Sequence, residues 1–249
     1  MTACSTLTLK TLQRSLLFPL LALAACQSTV PVEHTAAPAP RARAEARLPV
    51  GAQRYAVQSA QSEIRLLVYR AGALARFGHN HVIVGPARGE IWAGRTAAES
   101  GFLLEIPVDS LSVDPVAARA EEGEAFAAEV SAEAREGTRE HMLGKEVLDA
   151  QRYPVIRVES VALSGPRWNP SVVVRAMLRG ATRELRFPAA VVEQGDRLTV
   201  IASFTFRQSD FGMEPYSALG GGLRVADEVG VRIRLVARRE APPAIPGAE

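Results

Sequence analysis

The chain has 249 residues, 47% of them hydrophobic and 22% charged, with a net charge of +2. A balance this close to neutral excludes a phosphate-tracking nucleic-acid surface and an acidic tail, because the basic residues are scattered along apolar-alternating runs as a solvated face. With the N-terminal material set aside, roughly 200 residues remain, enough for one all-β domain or two small ones.

Residues 1–25 read as an export signal. Lys10 and Arg14 supply the positive charge, and an apolar run from Leu16 to Leu23 follows, broken by Pro19 and too short to span a bilayer well. Leu23-Ala24-Ala25-Cys26 resembles the bacterial lipobox, in which the cysteine becomes the lipidated first residue. Stable anchoring needs two or more acyl chains, which such a cysteine carries. Gln27 stands where an Asp resembles an inner-membrane retention signal. The expected location is therefore the bacterial cell envelope, as a lipoprotein on the outer membrane facing the periplasm. Cys4 lies in the removed segment and Cys26 is acylated, so no thiol remains for a disulfide, a nucleophile or a metal. Residues 26–52 form a tether in which Pro31, Pro38, Pro40 and Pro49 alternate with Ala, Arg and Glu. His34 falls here and is assigned no role.

Residues 53–240 form the folded domain, and residues 241–249 are expected to be a flexible tail. From Tyr55 onward the dominant period is two. In Glu63–Arg70, Ile64, Leu66 and Val68 share a face. The stretch from Leu74 to Val84 comes next. It holds His79 and His81, which lie on one face of an extended chain, just after Phe77 and Gly78. A strand-like run, Ala87–Ala93, follows. Phe102, Leu104, Ile106 and Val108 share a face in the next strand, and Val172, Val174, Ala176 and Leu178 in a later one. Leu185 and Phe187 keep the rule. Arg197–Arg207 is the cleanest run, with Leu198, Val200, Ala202, Phe204 and Phe206 on one side. Val229, Val231, Ile233 and Leu235 repeat it.

Arg179-Gly180-Ala181-Thr182 and Gln194-Gly195-Asp196 are tight reversals, and Ser164 to Pro170 is a longer loop. Ala117 to Ala150 breaks the period and is rich in helix formers. It is expected to hold two helical pieces, 117–135 and 139–149, ending before Tyr153-Pro154. Gln208 to Gly222 is a long irregular connection of the kind that is often functional. Antiparallel strands with one apolar face each need a second layer or closure on themselves. The expected fold is all-β with short helices: a closed antiparallel β-barrel of about eight strands, wide enough to be filled or to hold one small ligand.

Several motifs stand in order. His81 is followed by Gly89 and Ile91; Arg139, Glu140 and His141 precede Tyr153-Pro154 and Ser160; then come Gly180-Ala181-Thr182, Asp210-Phe211-Gly212 and Val225-Ala226-Asp227-Glu228-Val229. Together they resemble the YceI-like, or polyisoprenoid-binding, family over about Tyr55 to Arg238. The resemblance implies a lipocalin-like barrel whose elongated pocket takes an amphiphile such as an isoprenoid chain, in a binding module with no established catalysis. The chain departs from the pattern in its histidine-rich Phe77–His81 stretch and in the length of its insertion from Ala117 to Gly137. Both lie near segments that are expected to border the pocket mouth.

The candidate ligand-binding residues are Phe77, His79, His81, Arg139, His141, Phe204 and Phe206. His81 and His141 fit polar head-group contact at the end of an apolar tunnel, or a tie between helix and sheet. Arg139 fits an anionic head group, or a pair with Asp149 or a strand-edge carboxylate, the second being preferred. Phe204 and Phe206 fit core or pocket lining. His79, His81 and His141 offer an alternative three-histidine metal site. No Gly-x-Ser-x-Gly elbow is present, Ser209-Asp210 lacks an assembled triad, and Asp109 and Asp114 are assigned to a strand end and a turn. Gly220-Gly221-Gly222 lacks the Gly-Lys-Ser/Thr that a phosphate loop needs. The expectation is a non-enzymatic binder of a lipid-like molecule, with no cofactor and with its membrane contact through Cys26. A metal-binding accessory protein of the periplasm is the alternative. A homodimer is left open.

Overall fold

The computed structural model describes Pro49 and residues 51–240. The export signal, Cys26, most of the tether, His34 and the 241–249 tail lie outside the described residues. Among the described residues there are twelve strands. They are β1 Gln53–Val57, β2 Glu63–Ala71, β3 His81–Gly85, β4 Arg88–Ala93, β5 Gly101–Pro107, β6 Ser112–Val113, β7 Val155–Ser164, β8 Ser171–Leu178, β9 Ala181–Gln194, β10 Arg197–Arg207, β11 Ser217–Ala218 and β12 Leu223–Arg239. Two α-helices, α1 Val116–Glu121 and α2 Ala132–Leu143, sit between β6 and β7.

The strands make eight staves of one closed barrel. One edge of β12 pairs with β2 along its first part and with β1 along its last, so β1 and β2 form a single broken stave. In the same way β3 and β4 form the second stave and β5 and β6 the third, each paired along its length with the stave before it. β7, β8, β9, β10 and β12 complete the ring, every pair antiparallel. The seam closes through Tyr55↔Arg239, Ala56↔Arg238 and Val57↔Ala237. Closure gives every longer strand of the ring a partner on both sides, and only two-residue β6 keeps a free edge there.

Each break in a stave has a local cause. Between β1 and β2 the chain detours through a 3-10 turn, Ser59–Gln61. Buried Ser62 repairs the ladder there: its Oγ accepts from the Val236 amide at 3.0 Å and donates to the Val236 carbonyl at 3.3 Å. Pro86 separates β3 from β4, having no amide hydrogen to give a ladder. Ser160 acts as Ser62 does, at the β7 register shift, bonding the amide and carbonyl of Phe102 at 2.8 and 3.3 Å.

The helical segment differs from the expectation. The first piece stops at Glu121, because Gly123 adopts φ +78° and turns the chain. The second starts at Ala132, not Arg139: the Ser131 hydroxyl accepts from the Ala134 amide at 3.1 Å and caps it. It ends at Leu143, and residues 144–150 fold back on it, with the Leu148 and Ala150 amides donating to Met142 and Leu143 carbonyls. The insertion does not border the cavity either. Ala118 and Phe126 are buried against Leu67 and Val82 on the outside of β2 and β3. The outer face there is apolar, so the insertion covers it.

Candidate ligand cavity

The inward residues of all eight staves enclose a cavity of about 240 Å³. This lies a little below the ~300–1,000 Å³ of sites for drug-sized ligands, and it suits a slender chain. β10 contributes Leu198, Val200, Ala202, Phe204 and Phe206, the very set that alternation places on one face. β12 contributes Val229, Val231, Ile233 and Leu235, and β8 contributes Val172, Val174, Ala176 and Leu178. The barrel is hollow even though several phenylalanines point inward. Phe204 stacks on Phe187 with ring centroids 4.1 Å apart and planes 6° apart, so the two rings occupy one layer instead of two.

One end is plugged. Leu111, Met142, Val147, Leu148, Phe211 and Met213 line the cavity there, and Leu111, Leu148, Phe211 and Met213 are buried. Phe211 meets Phe206 edge-to-face at 5.6 Å. Its loop is held on both sides. The Ser209 amide and hydroxyl donate to Asp227 at 2.8 and 2.6 Å. The Glu214 amide donates to the Glu146 carbonyl at 2.7 Å. Arg179 bridges the two loops, donating to the carbonyls of Gly212 and Lys145. The hydrogen bond from Ser209 holds the Asp227 carboxyl below the usual carboxylate range against partial burial.

The opposite end is the mouth. Trp92, Ala97, Ser100, Arg167, Pro170 and Glu193 line the cavity there, from the β4–β5 loop, the β7–β8 loop and the end of β9. Arg167 Nη2 donates to Glu193 Oε1 at 2.5 Å, with 43% and 39% of the two side chains exposed. Alternation carries a signal for Glu193, which is in phase with inward Phe187, Ala189 and Val191. Arg167, in an irregular loop, carries none.

Of the candidate residues, Phe204 and Phe206 line the cavity; Phe77, His79, His81, Arg139 and His141 do not. All five belong to the plugged end or to the outside. Phe77 is 63% exposed beneath the Arg76 guanidinium. His79 is exposed, and its ring centre lies 6.4 Å from that of His81. His81 Nδ1 lies 2.7 Å from Asp114 Oδ2. Asp114 also accepts from the Val82 amide at 2.8 Å and from Arg119 at 2.6 Å. Arg119 donates further to the carbonyls of Asn80, Phe126 and Ala128. Burial pushes the Asp114 carboxyl up, but the hydrogen bonds from His81, Val82 and Arg119 outweigh it and hold it below the usual range. His81 is thus a tie between β3 and the insertion. Among the described residues Arg139 pairs with no carboxylate: it donates to the backbone carbonyls of Leu111 and Asp109. His141 is exposed and packs on Tyr216 at 4.7 Å. Among the described residues no three His, Cys, Asp or Glu side chains gather to hold a metal ion.

The other sequence motifs also serve the wall. A Cβ at Gly89, whose φ is +141°, would collide with the Leu103 carbonyl of β5. Gly180, at φ +74°, admits the ring of Tyr153.

Residues 55–237 match the family model described as a YceI-like domain. The fold is similar to that of Burkholderia cenocepacia BcnA, at 17% identity and a TM-score of 0.52, over 72% of this chain and 98% of that one. It is also similar to a polyisoprenoid binding domain from Saccharophagus degradans implicated in plant cell wall breakdown, at 14% identity and a TM-score of 0.48, over 75% and 98%. No curated protein matches the sequence. The family match runs from β1 to β12, through every stave of the barrel, and the chain belongs to the YceI-like family.

Proposed function

We propose that the protein is a non-enzymatic carrier of a lipid-like amphiphile, an isoprenoid or other long chain, held in the barrel. It is anchored in the bacterial envelope through lipidated Cys26 and faces the periplasm from the outer membrane. The observation that carries the reading is the lining: inward aliphatic and aromatic side chains from all eight staves, with charge confined to one end. Such a wall binds hydrocarbon by removing it from water, at roughly 0.8 kcal/mol per buried methylene. Affinity then rises about fourfold for each added methylene until the chain fills the hollow. The lipobox-like Leu23–Cys26 stretch supports the envelope location.

Native mass spectrometry of the protein purified without detergent tests the carrier role. The expected result is an added mass that extracts into organic solvent. A bare protein mass, together with no uptake of a series of fatty alcohols, would sink it. For the anchor, Cys26→Ser should move the protein from the membrane fraction to the soluble envelope fraction; retention in the membrane would refute lipidation there.

A further inference from the structure

The two ends of the barrel show different surfaces to solvent. At the mouth, residues 164–169 form an exposed loop in which Trp168 is 69% exposed. The backbone of this loop is nonetheless fixed. The Trp168 carbonyl accepts from the Val191 amide at 2.9 Å, and the Pro166 carbonyl from the Asn169 amide at 3.1 Å. Asn169 Nδ2 donates to the Ala189 carbonyl at 3.2 Å. The loop is therefore built onto β9, yet it leaves the indole in solvent. Val192, exposed on the outer face of β9, adds aliphatic surface next to it.

Charges at this end cancel in pairs. Arg54 lies 3.6 Å from Glu90, Arg95 3.9 Å from Glu99 and Arg238 2.7 Å from Asp196, and Arg167 is paired with Glu193. The chain also enters the barrel here. The Ala52 amide donates to the Pro49 carbonyl at 3.0 Å, and Gln53 opens β1 opposite Ala93 at the rim.

We propose that the mouth end docks on a phospholipid bilayer, with Trp168 seated in the interface, so that the hollow opens toward the membrane. The proposal rests on the anchored-carrier reading above. An indole joins an apolar body to one N–H donor, which suits a surface that is apolar within and wet above. A rim of paired charges meets that surface with little net attraction or repulsion, so docking draws on apolar burial and depends little on anionic lipid. The contact itself can be weak. Residues 27–48 join Cys26 to Pro49 and span at most ~75 Å, so an anchor at Cys26 holds the domain at a roughly millimolar local concentration. The plugged end is the rival surface. It bares Phe77 and Leu219, but together with exposed Arg70, Arg76 and Arg224, and the chain does not enter there. Docking through that basic end would follow anionic lipid content instead.

Residues 27–249 contain no cysteine, so single introduced cysteines can carry the fluorophore NBD. Ala98→Cys labels the β4–β5 loop at the mouth, and His79→Cys labels the plugged end; both positions are exposed. A hexahistidine tag in place of residues 1–26 tethers the protein to phosphatidylcholine vesicles that bear a nickel-chelating lipid, which makes the result independent of acylation. Nitroxide-labelled phosphatidylcholine is the quencher. The expected result is quenching of the Ala98 label and not of the His79 label, unchanged when phosphatidylglycerol is added. Trp168→Ser lowers the docked-to-undocked ratio by about tenfold. Circular dichroism verifies that this exposed change keeps the barrel. Quenching of the His79 label, alone or equally, would overturn the orientation, and quenching that Trp168→Ser does not reduce would overturn the role of the indole. Quenching of neither label would overturn the docking and leave Trp168 to a protein partner. All three results leave the carrier standing, because its cargo is read by mass in solution. A mouth that docks through Trp168 in a protein that takes up no lipid-like molecule would refute the carrier and retain the docking.

Discussion

Ala202 sits on the inner face of β10 between Val200 and Phe204, a small residue where the hollow needs width. Ala202→Trp should fill that space. Co-purifying ligand should disappear, while stability falls by no more than about 1–3 kcal/mol, the usual cost of overpacking. Native mass spectra and a urea melt read the two effects separately, and retained ligand would place the chain elsewhere. Asp114 is the opposite case, a residue whose work is structural. Asp114→Asn leaves the Arg119 charge buried without its partner and should cost about 3–5 kcal/mol. The same carboxyl sets a pH window. Its folded pKa is depressed, so its contribution is complete above the ordinary value near pH 4 and is lost as pH falls through the folded value. The Asp114→Asn variant should therefore lose less stability between pH 5 and acid than the parent, about as measured by thermal melts across that range. Histidines attract attention in a sequence because they are chemically versatile. Here His81 is spent on Asp114, a partner 33 positions away that spacing alone does not reveal.

At the scale of elements, the strands were legible and the helices were not. Period two names the inner residues of β8, β10 and β12 directly, since a strand has only two faces and one of them must be apolar. β10 runs over Arg197–Arg207, the same residues that alternation marks. Helix propensity is a weaker guide. It does not register that Gly123 takes a positive φ, or that Ser131 offers a cap. Ser131→Ala should cost about 1 kcal/mol in a denaturant titration, with α2 fraying first at its N-terminus. No change in stability would mean that tertiary packing alone sets that boundary. Which end of the barrel is open was also illegible. That depends on residues 144–150 and 208–214 meeting across the top, stitched by Arg179 and by backbone bonds between loops distant in sequence. The family motifs made the histidine-bearing end look like the mouth, whereas it is the plug.

For the whole molecule, the cavity and the closure are one feature. A ligand that binds only the closed barrel stabilises it by mass action, by about 2.7 kcal/mol at a hundredfold excess over its dissociation constant. If the barrel carries a lipid, its extraction with organic solvent, followed by refolding, should accordingly lower the melting temperature, and adding back a fatty alcohol should restore it. A melting temperature indifferent to the chain would argue against a bound state that needs the intact ring.

The seam that joins β1 to β12 sets the time at which this hollow can exist. The first stave waits, half of its hydrogen bonds unmade, until the last strand has been synthesised, because Tyr55 pairs with Arg239 and the Glu240 amide donates to the Arg54 carbonyl at 2.9 Å. Loop-closure entropy across nearly the full domain must be met before those contacts repay it, which makes folding slow and late. A circular permutant joining residue 240 to residue 53 and opened at the 195–196 reversal turns that distant pairing into a local hairpin. It should fold faster than the parent at similar stability, and its nascent chain would close around a ligand from a different edge.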